Sequence, residues 1–282
     1  MSVDIAGSVG EALALLRDHP EADLLAGGTD LLVEINFGRK RPERVVAIDR
    51  LSELKGLETN GHVRMGALVT YTRMLDDGAG SPALREAART IGSPQIRNAG
   101  TIGGNLGTAS PAGDTLPVLA ALDATVVLRS MSGERRVKFT DFMTAPKKSV
   151  RRSDELIVAA EWDDAGPAQT YMFVSTRNAM AISIAGLALV VDRARRRVGA
   201  GLGSCGPTII RPTAAERFAS GLFDEAGWER RHVPSDAAAK EFGRLVAAAA
   251  RPIDDVRGTA AYRRHALAVM GARALTRVAA IA

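Results

Sequence analysis

Apolar and polar residues alternate along this chain in two registers, and the switches between them lay out its elements. Near the start, Ala12, Leu13, Leu15 and Leu16 recur at helical spacing. They follow Ser8-Val9-Gly10-Glu11, a capping-box pattern in which the Ser8 hydroxyl and Glu11 carboxylate close the first turn. His19-Pro20 ends that helix. Asp23 to Leu25 reads as a short strand, Leu31 to Phe37 as one or two helical turns, and Arg44 to Asp49 as a β-branched strand. His62 to Gly66 is another strand after the Asn60-Gly61 turn. Pro82 to Ile91 reads as a helix with proline near its first position. Asp114 is placed to cap a helix over Thr115 to Leu122. Ala124 to Arg129 and Arg135 to Phe139 predict a hairpin around Ser132-Gly133, and Glu155 to Trp162 an apolar strand.

Asp163-Asp164-Ala165-Gly166-Pro167 then interrupts the pattern and is the best linker candidate. Beyond it, Tyr171 to Ser175, Ile182 to Val191 and Arg197 to Leu202 predict three strands of an antiparallel sheet. Helices follow: one opened by a second capping box, Thr213-Ala214-Ala215-Glu216, an alanine-rich one over Asp236 to Ala250, and a last one over Tyr262 to Ala280. There is no internal repeat and no low-complexity tract. The fold class is α+β in two domains.

Composition narrows the function classes. The chain has 282 residues, of which 46% are hydrophobic, enough to bury a real core. Its single cysteine, Cys205, excludes a disulfide within the chain, a cysteine-ligated zinc site and an iron–sulfur cluster; without a partner it reads as a small buried hydrophobe. No apolar stretch approaches the ~18 residues of a membrane span. Met1-Ser2-Val3-Asp4 lacks a signal-peptide pattern, so a cytoplasmic protein is expected. The net charge is +5, with basic knots at Lys147-Lys148-Ser149-Val150-Arg151-Arg152 and Arg193-Ala194-Arg195-Arg196-Arg197. Neither sits among aromatics or in a reading motif, so solvated turns or partner contacts are expected rather than nucleic-acid binding. His19, His62, His232 and His265 are scattered without metal-ligand spacing, and no Gly-x-Ser-x-Gly elbow occurs. No catalytic side chain and no metal site is expected.

Two glycine segments carry the chemistry. Leu24-Leu25-Ala26-Gly27-Gly28-Thr29-Asp30-Leu31-Leu32 and Thr101-Ile102-Gly103-Gly104-Asn105-Leu106-Gly107-Thr108 share a recipe: apolar residues, a glycine pair, and a hydroxyl. Paired glycines let a ligand approach bare backbone and can aim several N–H groups at one anion. Gly201-Leu202-Gly203-Ser204-Cys205-Gly206 also matches the dinucleotide fingerprint G-x-G-x-x-G. That fingerprint needs a helix directly after it, and Pro207 and Pro212 forbid one, so it is read as a strand-to-loop turn.

Together the two glycine segments resemble those of the FAD-binding (medium) subunit of the molybdenum hydroxylases, the xanthine dehydrogenase and carbon monoxide dehydrogenase group. Asp254-Asp255-Val256-Arg257-Gly258-Thr259-Ala260-Ala261-Tyr262-Arg263-Arg264 is similar to that family's C-terminal signature, so the likeness spans the whole chain. It implies a two-lobed FAD-binding domain of the vanillyl-alcohol-oxidase type over roughly residues 1–165, and a small antiparallel sheet backed by helices over roughly 166–282. It implies noncovalent FAD held by Leu25, Ala26, Gly27, Gly28, Thr29, Asp30 and Leu31 in the first segment, and by Thr101, Ile102, Gly103, Gly104, Asn105 and Thr108 in the second. Asp114 of Ser110-Pro111-Ala112-Gly113-Asp114 would be a further contact, and the backbone of Ile157 would approach the isoalloxazine. Phe173 stands where the family often has lysine, so a positive charge near the flavin N1–C2=O edge is missing.

The resemblance also implies partners. A large subunit would carry the molybdenum cofactor, a small subunit [2Fe–2S] clusters, and this chain would pass their electrons to NAD or another acceptor, in a dimer of heterotrimers. A purine such as xanthine is the expected substrate, because Ala109 to Asp114 and Asn36-Phe37-Gly38-Arg39-Lys40 look most like those members. An aerobic carbon monoxide dehydrogenase and an N-heterocycle or aldehyde hydroxylase are the alternatives. Two other classes remain open, a self-contained flavin oxidase and a flavin-free scaffold.

Overall fold

Pairing begins with the first residues of the chain. In the computed structural model, which describes residues 1–77, 80–178 and 180–281, β1 (Ser2–Ile5), β2 (Asp23–Leu25) and β3 (Arg44–Ala47) form a parallel sheet in the order β1-β3-β2. α1 (Val9–Asp18) links the first two, and α2 (Leu31–Asn36) follows β2. Ser8 caps α1 as its sequence predicts, but Glu11 reaches back to the N–H of Gly7 rather than of Ser8. β1 is not signalled by periodicity, since its four residues are mostly exposed and held only by pairing with β3.

A five-stranded antiparallel sheet forms the second lobe. Its strands are β4 (Leu57–Thr59), β5 (His62–Gly66), β6 (Thr125–Ser130), β7 (Gly133–Lys138) and β10 (Leu156–Asp163), in the order β4-β5-β10-β6-β7. Between β5 and β6 the chain runs through α3 (Tyr71–Asp76), α4 (Pro82–Thr90), α5 (Pro94–Ala99), α6 (Ile102–Thr108) and α7 (Leu116–Ala121). Between β7 and β10 lie α8 (Phe139–Phe142) and a small hairpin of β8 (Met143–Ala145) and β9 (Lys148–Ser149). The predicted 124–139 hairpin and the strand ending near Trp162 are therefore present.

The remaining elements are β11 (Gln169–Val174), β12 (Ala185–Asp192), β13 (Arg197–Gly203), α9 (Thr213–Ala226), α10 (Asp236–Ala249) and α11 (Ala260–Ala279). The three strands pair antiparallel in sequence order, as their pattern predicts. All eight residues of β12 are buried, because both of its faces are covered. Ala188 and Val190 join the core shared with α4, α6 and α7, while Leu187, Leu189 and Val191 join the core under α9 to α11. The second capping box is not formed. Pro212 occupies the N-cap of α9, and Glu216 instead accepts from the N–H of Ala200 at 2.8 Å and pairs with Arg211. The α+β expectation holds, with antiparallel strands and helices following a two-lobed first part.

Glycines set how closely these layers approach. On β13, a Cβ at Gly199 or Gly201 would run into the backbone carbonyls of Ala121 or Pro117, and one at Gly203 would lie 2.7 Å from Pro117 Cγ. The backbone of α7 therefore rests directly on the strand. These glycines include the start of the apparent G-x-G-x-x-G match, which is a packing device that ends in a turn with Ser204 at φ +59°. Gly243 does the same between α10 and α11, where a Cβ would overlap the Ala268 carbonyl. Gly221, inside α9, has nothing near its Cβ position. Gly221→Ala should thus stabilise the protein by about 0.5–1 kcal/mol through helix propensity. Gly243→Ala should lower the melting temperature despite the same propensity gain. Thermal denaturation of the two variants checks the opposite signs.

Candidate functional site

The two glycine segments meet backbone to backbone. A Cβ on Gly27 would overlap the carbonyl of Ala99, so only glycine permits the first segment to lie against residues 99–100. Gly28 has φ +71°, a second reason for glycine there. The contact is tied by a side-chain bond, Thr108 Oγ1 donating to Asp30 Oδ2 at 3.2 Å. Nearby, Lys147 of the first basic knot pairs with Glu34 at 3.0 Å, and its N–H donates to the Ala109 carbonyl.

The segments do different things. Among the described residues, the N–H groups of Gly27, Gly28, Thr29, Asp30 and Leu31 have no partner within the chain. They are half-buried or exposed donors at the end of β2, where Leu25 pairs with Ala47 and Ala26 lies half-buried. The second segment is not the loop that its glycines suggest. It is α6, capped by Thr101, whose Oγ1 accepts from Gly104 N at 3.0 Å. The N–H groups of Ile102, Gly103 and Asn105 go to Val69, Ala67 and Thr101 carbonyls, so they are not spare donors for an anion. Ile102 and Leu106 face the core, and Gly103 presses on Ala67. Gly104, Gly107 and Thr108 share the opposite side by i, i+3, i+4 spacing. There a Cβ would meet only Thr101 Oγ1 at 3.1 Å or Ile157 Cδ1 at 3.9 Å. One segment offers donors, and the other a bare surface across from them.

Asp114 does not cap α7. Thr115 holds the N-cap position and makes no side-chain cap bond; its hydroxyl goes to Asn105 Oδ1 at 2.6 Å. Asp114 is instead a buried carboxylate, 9% exposed, whose Oδ1 accepts from Tyr171 Oη at 2.7 Å. Burial raises its carboxyl above the ordinary range, and hydrogen bonds from Tyr171 and Ser183 partly oppose that. Burial and the Asp114 charge likewise raise the Tyr171 phenol, so it remains a donor. Gly186 leaves room for that hydroxyl, since a Cβ there would stand 2.7 Å from it. Gly113 leaves room for Asn105 in the same way.

Ile157 sits at an irregularity in the β10–β6 register, beside Gly107. Phe173 is half-buried and stacks on Tyr171 with ring centroids 6.2 Å apart. The C-terminal signature acts at one remove. Buried Arg263 donates to Asp255 Oδ1 at 2.7 Å, to the Ser204 carbonyl at 2.8 Å and to the Ile184 carbonyl. Ser204 Oγ in turn lies 3.0 Å from Ser183 Oγ. The second basic knot is tied inward, with Arg193 bonding the carbonyls of Trp228, Arg230 and Ile281 and Arg195 pairing with Asp192. Cys205 is fully buried, and burial pushes its thiol up to about 12. Among the described residues no group of three His, Cys, Asp or Glu side chains could hold a metal. Sequence reading missed Tyr71, which lies against Gly100 from α3, and Tyr171 and Ser183, which meet Asp114 from β11 and from just before β12. Their only signal is being polar where the strand or helix pattern calls for apolar residues.

A flavin dinucleotide fits this arrangement. Free N–H donors on the first segment suit a pyrophosphate, and the bare face of α6 admits a ligand that side chains would exclude.

Comparison with known proteins agrees. Residues 1–161 match the FAD binding domain in molybdopterin dehydrogenase, and residues 170–278 match the CO dehydrogenase flavoprotein C-terminal domain. The nicotinate dehydrogenase FAD-subunit of Eubacterium barkeri is 40% identical over 198 residues, 65% of this chain and 67% of that protein. The glyceraldehyde dehydrogenase medium chain of Sulfolobus acidocaldarius is 31% identical over 279 residues, covering 97% and 96%. A chain of carbon monoxide dehydrogenase from Hydrogenophaga pseudoflava, solved lacking the Mo-pyranopterin moiety, superposes with a TM-score of 0.87 at 27% identity. That match covers 99% of this chain and 96% of the other.

The state of Asp114 generates a pH prediction. Its folded carboxyl holds a proton more tightly than the unfolded chain does. Its contribution to stability is therefore full at low pH and lost as pH rises through the folded value. Asp114→Asn keeps an acceptor for Tyr171 and removes the buried charge. In flavin-free protein this variant should melt higher than the wild type at pH 7, and the gap should close as pH falls into the ordinary carboxylate range. Melting temperature against pH checks it, and a lower melting point for the variant at pH 7 would refute it.

Proposed function

The chain belongs to the molybdopterin dehydrogenase FAD-binding family, and we propose that it is the electron-relay subunit of a heteromeric molybdenum hydroxylase. It is an oxidoreductase subunit. The observation that carries the relay reading is the meeting of the two glycine segments, with unpaired N–H groups on one and an open helix face on the other. In this reading the first segment, Leu25 to Leu31, holds the pyrophosphate. Gly104 and Thr108, with Gly107 between them on the same face of α6, supply the surface against which the nucleotide lies. The cap Thr101 and the core-facing Ile102 and Gly103 hold that helix in place, and Asn105 lies beside that surface. Asp114 is a further contact, and Ile157 lies toward the ring. When bound, FAD supplies the redox chemistry, and the protein supplies binding, orientation and electrostatics.

The partners follow from what this chain lacks. One thiol cannot hold an iron–sulfur cluster, so the [2Fe–2S] clusters belong to a small subunit and the molybdenum cofactor to a large one. NAD is the acceptor we favour, with other oxidants open. We further propose a break between two domains near Asp164 to Ala168, where no helix or strand is formed between β10 and β11. For the substrate we favour an N-heterocycle, a purine such as xanthine first. The likeness to a nicotinate dehydrogenase subunit supports that class.

The test is anaerobic absorbance of the flavin band. The purified chain loaded with FAD should be bleached by dithionite, and by NADH if NAD is the acceptor. It should not be bleached by xanthine, nicotinate, an aldehyde or carbon monoxide until small and large subunits are added. Bleaching of the lone chain by an organic substrate would replace the relay with a self-contained oxidase. Gly104→Val should release FAD by filling the open face of α6, whereas Gly221→Ala should retain it.

A further inference from the structure

Tyr71 opens α3, one residue after Thr70, which bridges Thr101 at the cap of α6. Its N–H donates to the Gly100 carbonyl at 3.1 Å. Its ring lies flat enough on Gly100 that a Cβ there would come 2.7 Å from Cε2. The side chain is thus wedged where the two glycine segments meet and is only 5% exposed. Yet among the described residues nothing takes its hydroxyl, although the other buried tyrosine, Tyr171, gives its own to Asp114. The oxygen is not among the buried polar side-chain atoms left without a partner, so among the described residues it is the part of Tyr71 open to solvent at this seam, and free to meet a ligand. Asp30, from the first segment, and Asp114, from beyond the second, both lie near enough that their charge adds to burial in raising the Tyr71 phenol. The hydroxyl therefore stays protonated, a fixed donor in company with two carboxylates.

We propose that Tyr71 is a further binding residue of the flavin nucleotide site, its hydroxyl donating to a sugar-type hydroxyl of the nucleotide. A phosphate would be repelled beside two carboxylates, whereas a polyol both accepts from a phenol and donates to a carboxylate. Asp30 keeps acceptor capacity beyond its bond from Thr108, and Asp114 beyond its bond from Tyr171. One of these carboxylates accepts the hydrogen bond that the sugar hydroxyl donates, and Tyr71 donates to the lone pair of the same oxygen. This subsite separates the sugar from the pyrophosphate donors of Gly27 to Leu31. It rests on the FAD reading above. The hydroxyl can belong to the ribityl chain or to the adenosine ribose, since both present the same chemistry.

The test uses the purified chain and Tyr71→Phe, which keeps the ring against Gly100 and removes only the oxygen. FAD affinity is read from quenching of flavin fluorescence, and folding from the melting temperature of the flavin-free protein. The variant should bind FAD about threefold to tenfold more weakly, the worth of one lost hydrogen bond, with the flavin-free melting temperature unchanged. FMN and ADP are then titrated separately. A loss shared by FMN and absent for ADP places the contact on the ribityl chain; a loss shared by ADP and absent for FMN places it on the ribose. Either supports the proposal. Unchanged FAD affinity overturns it, as does a lowered melting temperature with FAD affinity intact, which makes Tyr71 a packing residue only. A wild-type chain that binds no FAD at all fails the functional reading instead, and is seen before the variant is compared.

Discussion

The close approach of Gly27 to the backbone of Ala99 and Gly100 is the constraint from which the site follows. No other residue type allows that crossing, because a Cβ would occupy the space of the Ala99 carbonyl. Once it is made, the end of β2 lies across from α6, and Asp30 comes within reach of Thr108. The parallel lobe and the antiparallel lobe are then joined along a seam of bare main chain. Donors on one side and an uncovered helix on the other are consequences of that seam. A side chain at position 27 would separate the lobes before it touched any ligand.

The same device recurs where the later sheet meets the first part of the chain. Gly199 and Gly201 bring β13 onto the main chain of α7, and Gly203 brings it onto the Pro117 ring. That packing places the start of α7 under the β11–β13 sheet, so Asp114 and Tyr171 become neighbours although 57 residues separate them. A carboxylate is tolerated there because a phenol and a serine hydroxyl satisfy it, and because the glycine at 186 leaves room for that phenol. Arg263 extends this polar network outward through Ser204 to the Asp255 turn.

Much of this was legible in the residues themselves. Local patterns sufficed for β2, β5, the 125–138 hairpin, the three-stranded sheet and the long helices, because apolar runs and periodic faces mark them out between turn residues. The glycine pairs and the C-terminal signature pointed to the family without any coordinates. Local chemistry also disposed of the G-x-G-x-x-G match, since prolines flank the residues that would have to be its helix. Periodicity could not find β1, which is exposed and exists only because β3 pairs with it. Nor could it find α6, whose three glycines in seven residues argue against a helix that the Thr101 cap and the core under Ile102 and Leu106 nevertheless stabilise.

What the sequence determined by itself was therefore composition and local register: which segments alternate, where glycine is compulsory, and that one thiol leaves any metal cluster to another chain. Tertiary structure alone decided which donors stay free. Among the described residues the N–H groups of Gly27 to Leu31 remain unpaired, while those of Ile102 to Asn105 are consumed by Val69, Ala67 and Thr101. It also turned Asp114 from a helix cap into a buried acceptor, and Tyr71 from an unremarked helix residue into a hydroxyl held between two segments. The physical reason is that hydrogen-bond satisfaction and desolvation depend on groups distant in sequence. No window along the chain contains them.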